Sequence, residues 1–303
     1  MLVKEKSITE INGKIEHGNV LVLTEGEFLK EIQKGNNLSL ADIDVVTVAR
    51  NASASGTAAM LCVPVADRGE FTRARKIWIN GIPGFPGPAP NERLGLVDVQ
   101  VFADQVSRNS QAGYNGADLF LDIIGRKEIQ AECLSVEGDT FRNTFTLDDL
   151  EFARLYVYNY FFDLSNSDKC PGDRIQHLNM IRQGSKILLN KTPGIVIGCG
   201  TRSTPDQKAL SLAADMFEMD IESMKKSETD TEVSVTNSVA LAIPILTQEV
   251  VTDLAACLMG KKPQETENSI QSSEEGMAGF LKQLIEKGEF KLISSDMYLN
   301  NWC

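Results

Sequence analysis

Between Asn80 and Pro90 the sequence NGIPGFPGPAP carries four prolines and three glycines, and Asn91-Glu92-Arg93 follow at once. Proline locks φ and removes a backbone donor, while glycine opens conformations that other residues avoid. No helix runs through such a segment. The expectation is a shaped, irregular loop held between two apolar strands, Lys76–Ile79 before it and Leu94–Val99 after it. Ordered loops of this kind are frequent carriers of function. Two readings follow: a loop that delivers Asn91, Glu92 and Arg93 to a site, or a strut whose charges pair internally.

Around this segment, apolar runs alternate with helical patterns. Ser7 and Glu10 form a capping-box signature for a short helix to Glu16, Val20–Leu23 is strand-like, Thr24 opens a helix to Lys34, and Asp44–Val48 is β-branched. Beyond the loop come a strand at 96–102, a helix at 119–124, and a hairpin of 128–135 with 141–145 around Glu137-Gly138-Asp139. Thr146 with Asp148 and Asp149 predicts a capped helix through Tyr160, and 210–218 a second one. Two strands flank Asn190–Gly194, and 233–243 is another. The fold class expected is α/β: a mixed sheet with flanking helices and inserted hairpins. The domain expectation is one main domain over 1–258, a linker over 259–274 and a short helical C-terminal tail over 275–303.

With 42% apolar and 24% charged residues in 303, the chain has the balance of a folded globular protein. Its formal charge of −12 argues against a sequence-independent grip on nucleic acid, which needs clustered cations. A small molecule, anionic in the reading below, or a protein is the expected partner, and a homo-oligomer stays open. No apolar run approaches the roughly 20 residues that span a bilayer, and the first residues lack the apolar core of a signal peptide. The expectation is therefore a cytoplasmic protein with no membrane contact.

Two glycine-containing stretches suit a small anion. In NASASGTAAM, small side chains leave the amides around Ser53, Ser55, Gly56 and Thr57 approachable where a strand meets a helix. In GCGTRSTP, Gly200, Thr201, Arg202 and Ser203 offer amides, hydroxyls and a guanidinium after a strand. Close-packed turns are the plainer reading of both. The six cysteines contain no CxxC pair, and only His17 and His177 are available, so no metal or cluster site is expected within the chain. Cys133 on a strand is by itself most simply a small buried hydrophobe.

Taken together and in order, INGKIEHGNVLVLT, DVVTVA, SGTAAM, INGIPGFPGPAPNERLG, KEIQAECLSVEGD, FTLDDLEFARLY and GIVIGCGTRSTP resemble the family of homocysteine-biosynthesis sulfur-incorporation proteins, closest to its methanogenesis marker protein 16 branch. The resemblance spans Ser7 to Leu254. It implies a sulfurtransferase that converts aspartate semialdehyde to homocysteine through a cysteine persulfide. Cys133 matches one family cysteine. The other falls in the loop after DVVT, where this chain has VARNASASG, with Ser53 or Ser55 near that register. Serine holds no persulfide, so the resemblance leaves two possibilities: Cys62 substitutes in space, or the chemistry differs.

The family's C-terminal iron–sulfur segment has no counterpart in this sequence. Reducing an aldehyde and sulfide to a thiol takes two electrons, so an external donor is implied, a separate ferredoxin-like protein being the expected one. Arg93, Arg142 and Arg202 are the cations considered for activating Cys133. Arg93 is further expected to hold a carboxylate and Glu92 to move protons, in a site shared with Gly56-Thr57 and Gly200–Ser203. The alternative is a non-catalytic small-anion-binding or assembly protein that lost the first family cysteine.

Overall fold

The computed structural model describes residues 5–35, 38–54, 56–87, 89–109, 113–162, 181, 183–204, 209–228, 233–259 and 268–292, without the side chains of Ser53 and 268–273. Along the chain these residues form α1 (Ile8–Glu16), β1 (Val22–Thr24), α2 (Glu25–Gln33), β2 (Val45–Ser53), β3 (Gly56–Pro64), β4 (Ala74–Ile79), β5 (Ile82–Pro86), β6 (Leu96–Phe102) and α3 (Gly116–Ile124). They continue with β7 (Ile129–Ser135), β8 (Thr140–Phe145), β9 (Ala153–Phe161), β10 (Lys186–Leu189), β11 (Thr192–Cys199), β12 (Ala209–Asp215), β13 (Met224–Glu228), β14 (Val233–Pro244), α4 (Gln248–Met259) and α5 (Asn268–Glu286). The fold is mixed α/β, with a helix near the C-terminus.

The chain divides into two compact units. The first gathers residues 1–52, 161–210 and 238–303. Its helix starts obey local chemistry: Ser7 and Glu10 cap α1 reciprocally, and Thr24 and Glu27 do the same for α2. β1 pairs parallel with β2, and β10 pairs antiparallel with β11 and with β14. Ile11, Ile15, Val22, Val45, Met277, Ala278, Leu281 and Ile285 meet in one core, so α5 is an integral layer of this unit. It starts at Asn268, inside the segment expected to be linker. Asp44, with no exposed surface, accepts Lys6 and Lys14 ammonium groups at 2.6 Å and the Leu21 amide at 2.9 Å. Burial works against its charge, but those donors outweigh it and hold the carboxyl below its ordinary range.

The second unit holds residues 53–160 and 211–237. Within it β9, β3, β6, β5, β4, β7 and β8 lie side by side in that order, every described pair antiparallel. β3 is the hub, pairing Ala59 with Leu155 of β9 and with Val101 of β6. α3 begins at an Asn115 cap, and Gly116 sits so close to β6 that a Cβ there would lie 2.0 Å from the Phe102 carbonyl oxygen.

Four expectations are corrected here. The stretch Asn51–Met60 is no strand-to-helix turn: β2 runs to Ser53 and β3 starts at Gly56. The proline–glycine segment is not wholly irregular. Asn80 and Gly81, with φ of 48° and 77°, make a two-residue hairpin turn from β4 into β5. Pro83 then faces Trp78, and Gly84 lets Val99 approach to where a Cβ would be 2.3 Å from its methyl. The helix expected from Thr146 is a single 3-10 turn, Leu147–Asp149, after which ARLYVYNYF forms β9. Its aromatic and β-branched residues alternate with period two, and tertiary pairing with β3 overrides the cap signal. The helix expected over 210–218 is strand β12, because a short continuous apolar run carries no period that separates the two.

Candidate active site

The turn Asn91–Leu94 is the junction between the two buried cysteines of the second unit. It ends at Gly95, whose φ of 82° and whose position over the Ala66 carbonyl, 2.0 Å from where a Cβ would lie, admit no side chain. Val65 and Ala66 donate to the Gly95 carbonyl, and Gly69 donates to that of Arg93. The turn is thus clamped to the end of β3.

Glu92 is carried inward by this turn and keeps 2% exposure. Its Oε1 accepts the Ala74 amide at 3.1 Å, and Arg73 lies 3.9 Å from the same oxygen. Its Oε2 is buried with no hydrogen-bond partner. Cys133 on β7 stands across from Ile77 of β4 and Phe141 of β8, with 0% exposure. Burial first, and then the Glu92 charge, push its thiol up to about 11. That is the reverse of an activated cysteine: in this conformation burial and a nearby negative charge both favour the protonated thiol.

Neighbouring Asn91 reaches the other way. Its Nδ2 donates to Asp98 Oδ1 at 3.0 Å. Asp98, on β6, is paired in register with Cys62 of β3. Burial, followed by the hydrogen bond to Asp98 and that residue's charge, pushes the Cys62 thiol up to about 12. Sequence reasoning missed Asp98, although its place between valines in LVDVQVF marks it as leaving the apolar face.

The register separates the two thiols. Cys62 shares a sheet face with Asp98, whereas Cys133 lies in line with Ile77, Gly84 and the side on which Val99 meets Gly84. Strand side chains alternate between faces, so the sheet stands between Cys62 and Cys133. Cys62 does not replace the missing family cysteine next to Cys133, and a disulfide between them has no geometry to form. The cations fall elsewhere too. Arg142 is exposed on the outer face, its Nε donating to Glu132 at 3.0 Å, and Arg93 is exposed.

Within the second unit the expected common site is divided. Gly56 and Thr57 begin β3 while Asn91–Arg93 are clamped to its far end, eight residues away and on the order of 26 Å at 3.3 Å per residue. Thr57 is 3% exposed, and its hydroxyl has no partner. Ser55 lies outside the described residues, as does the side chain of Ser53. Gly200–Ser203 belong to the first unit. There the Gly200 amide donates to Ala209, the Ser203 amide to Gly200, and the Ser203 hydroxyl sits between the Ala209 carbonyl and amide at 3.1 Å each. Those donors close a turn, leaving exposed Thr201 and Arg202 at its tip. Among the described residues no three His, Cys, Asp or Glu side chains gather as metal ligands, and no helix is long and apolar enough to cross a membrane.

Comparison with known proteins matches residues 20–166 and 171–260 to the family model described as homocysteine biosynthesis enzyme, sulfur-incorporation. An uncharacterized protein of Methanothermobacter thermautotrophicus is 31% identical, covering 82% of this chain and 65% of the relative. Another, from Methanocaldococcus jannaschii, is 30% identical over 74% of this chain and 63% of its own length. An L-aspartate semialdehyde sulfurtransferase of Methanosarcina acetivorans is 24% identical over 83% of this chain and 56% of its length. The chain thus spans less than two-thirds of these relatives. No solved structure matches it.

Proposed function

Because the chain belongs to the homocysteine biosynthesis, sulfur-incorporation family, we propose that it transfers sulfur to a small aldehyde such as aspartate semialdehyde, with Cys133 as the residue that carries sulfur as a persulfide. The observation that supports this reading is that the charge of buried Glu92 reaches the buried Cys133 thiol, while Glu92 Oε2 has no hydrogen-bond partner. A thiolate is the nucleophile in sulfur chemistry. If the thiol proton passes to Glu92, one negative charge moves from carboxylate to sulfur and no second charge is added to the interior. Glu92 is then the proton acceptor for loading and the proton donor for release. Loading also requires the Asn91–Leu94 turn to shift and open Cys133 to the donor. Asn91 and Arg93, on the same turn, are the proposed first contacts for substrate. Ser53, Ser55, Gly56, Thr57, Gly200, Thr201, Arg202 and Ser203 enter as substrate contacts only through the sequence reading of their two glycine-containing stretches. Cys62, held to Asp98 on the other face, is left without a partner role in the loading step. Loading takes sulfur from a sulfane donor such as a polysulfide, whose S–S bond breaks as the Cys133 persulfide forms; two electrons then reduce that sulfur to the sulfide level and two more take the aldehyde adduct to the thiol with loss of water, all from outside the chain, a ferredoxin-like protein being the class proposed.

A second reading has its own observation. Both buried thiols are held protonated, as expected of a non-catalytic small-anion-binding or assembly protein. One experiment separates the two: treat the protein with polysulfide, remove excess and measure added sulfur by peptide mass spectrometry. Sulfur on the peptide of Cys133, lost in Cys133→Ser, is the expected result. No sulfur on Cys133 under native conditions favours the binding protein.

A further inference from the structure

On the outer face of β4, β7 and β8, away from Cys133, a cavity of about 270 Å³ is lined by Trp78, Arg108, Asn109, Gln130, Glu132 and Arg142, among others. It is built rather than incidental. At the hairpin turn, Gly81 has φ of 77°, and a Cβ there would lie 2.5 Å from Ser107 Oγ and 2.8 Å from Asn109 Nδ2. Only glycine lets the 107–109 segment lie so close. That segment is strapped to the turn by the Ser107 hydroxyl on the Asn80 carbonyl at 2.7 Å and the Arg108 amide on the Gly81 carbonyl at 3.0 Å. Arg108 is thereby laid flat over Trp78, its guanidinium carbon 3.8 Å from the ring centroid, and pinned by Glu132 at 2.6 Å. Its conformational freedom is lost before any ligand arrives.

Glu132 also accepts Arg142 Nε at 3.0 Å, so two guanidinium groups share one carboxylate. Those contacts hold the Glu132 carboxyl below its ordinary range, the Arg108 hydrogen bond foremost. The cluster keeps one net positive charge. Arg142 uses only Nε, and its two terminal nitrogens make no hydrogen bond among the described residues. A guanidinium edge with both donors open matches a carboxylate. Asn109 and Gln130 add neutral amide groups around it, as small-molecule sites commonly do.

We propose that this cavity is a binding site for a small carboxylate anion, distinct from the Cys133 face. The carboxylate takes the open edge of Arg142, and its charge balances the cluster. The cavity is just under the usual range for drug-sized ligands, which sets the ligand at the size of a small metabolite.

The test is calorimetric titration of the whole chain with succinate and L-aspartate, with neutral succinamide as control. Expected is binding of at least one carboxylate, none of succinamide, and a loss of about tenfold or more in Arg142→Gln, the scale of a lost charged hydrogen bond. Arg142 is largely exposed, so this variant keeps its fold. Arg142→Gln should leave sulfur loading at Cys133 as in the unsubstituted chain, which separates this site from the proposed sulfur carrier. Absence of heat with both carboxylates, or affinity unchanged in Arg142→Gln, overturns the proposal.

Discussion

Glu92 and Cys133 concentrate the chemistry of the second unit in two side chains. Replacing Glu92 by Gln keeps an oxygen for the Ala74 amide but removes the charge that raises the thiol. The Cys133 pKa therefore falls, and labelling by a small alkylating reagent at a fixed mildly alkaline pH should speed up in Glu92→Gln. An unchanged rate would show that burial alone governs the sulfur, and a slower one that Glu92 assists removal of its proton. The same thiol sets a pH dependence of stability. Its folded value of about 11 lies above the unfolded value of about 8.5, so the unfolded chain releases its proton first as pH rises. Stability is full below that unfolded value and declines through the window up to about 11. Thermal melts between about pH 8 and about pH 10.5 should fall less steeply for Cys133→Ala than for the unsubstituted chain, and parallel curves would contradict the shift.

The turn Asn91–Leu94 and its glycine are the element on which both thiol environments depend. Gly95→Ala meets a backbone oxygen at 2.0 Å and a left-handed φ together. The combination should cost about 2–4 kcal/mol in urea unfolding. Because the displaced turn carries Glu92 away from Ala74, Cys133 labelling should accelerate in the same variant, whereas a destabilised chain with unaltered labelling would place the strain elsewhere. β9 teaches a related lesson about elements. Thr146 and Asp149 form a genuine capping box, yet it caps one 3-10 turn, since the residues that follow have strand partners in β3. Local signals start an element; pairing decides how far it runs.

Across the whole chain, α5 shows how much stability resides near the C-terminus. Leu281, with no exposed surface, packs among Ile11, Ile15, Val22 and Val45. Leu281→Ala should destabilise by about 2–5 kcal/mol in denaturant titration, and a loss under about 1 kcal/mol would mean that α5 is dispensable to that core. The sequence by itself determined the capped helices α1 and α2, the body of α3 without its Asn115 cap, the hairpin of β7 and β8, and the turn at Asn190, because caps, alternation and φ-permissive residues act within a few positions. It also marked Cys133, Asn91 and Glu92 as the residues to examine. Only the tertiary structure decided that Cys62 and Cys133 occupy opposite faces, that Gly56 and Arg93 sit at opposite ends of one strand, and that Arg108 covers Trp78. Those outcomes depend on strand register and on which segments pair across tens of residues, and a shift of one residue in register exchanges every face.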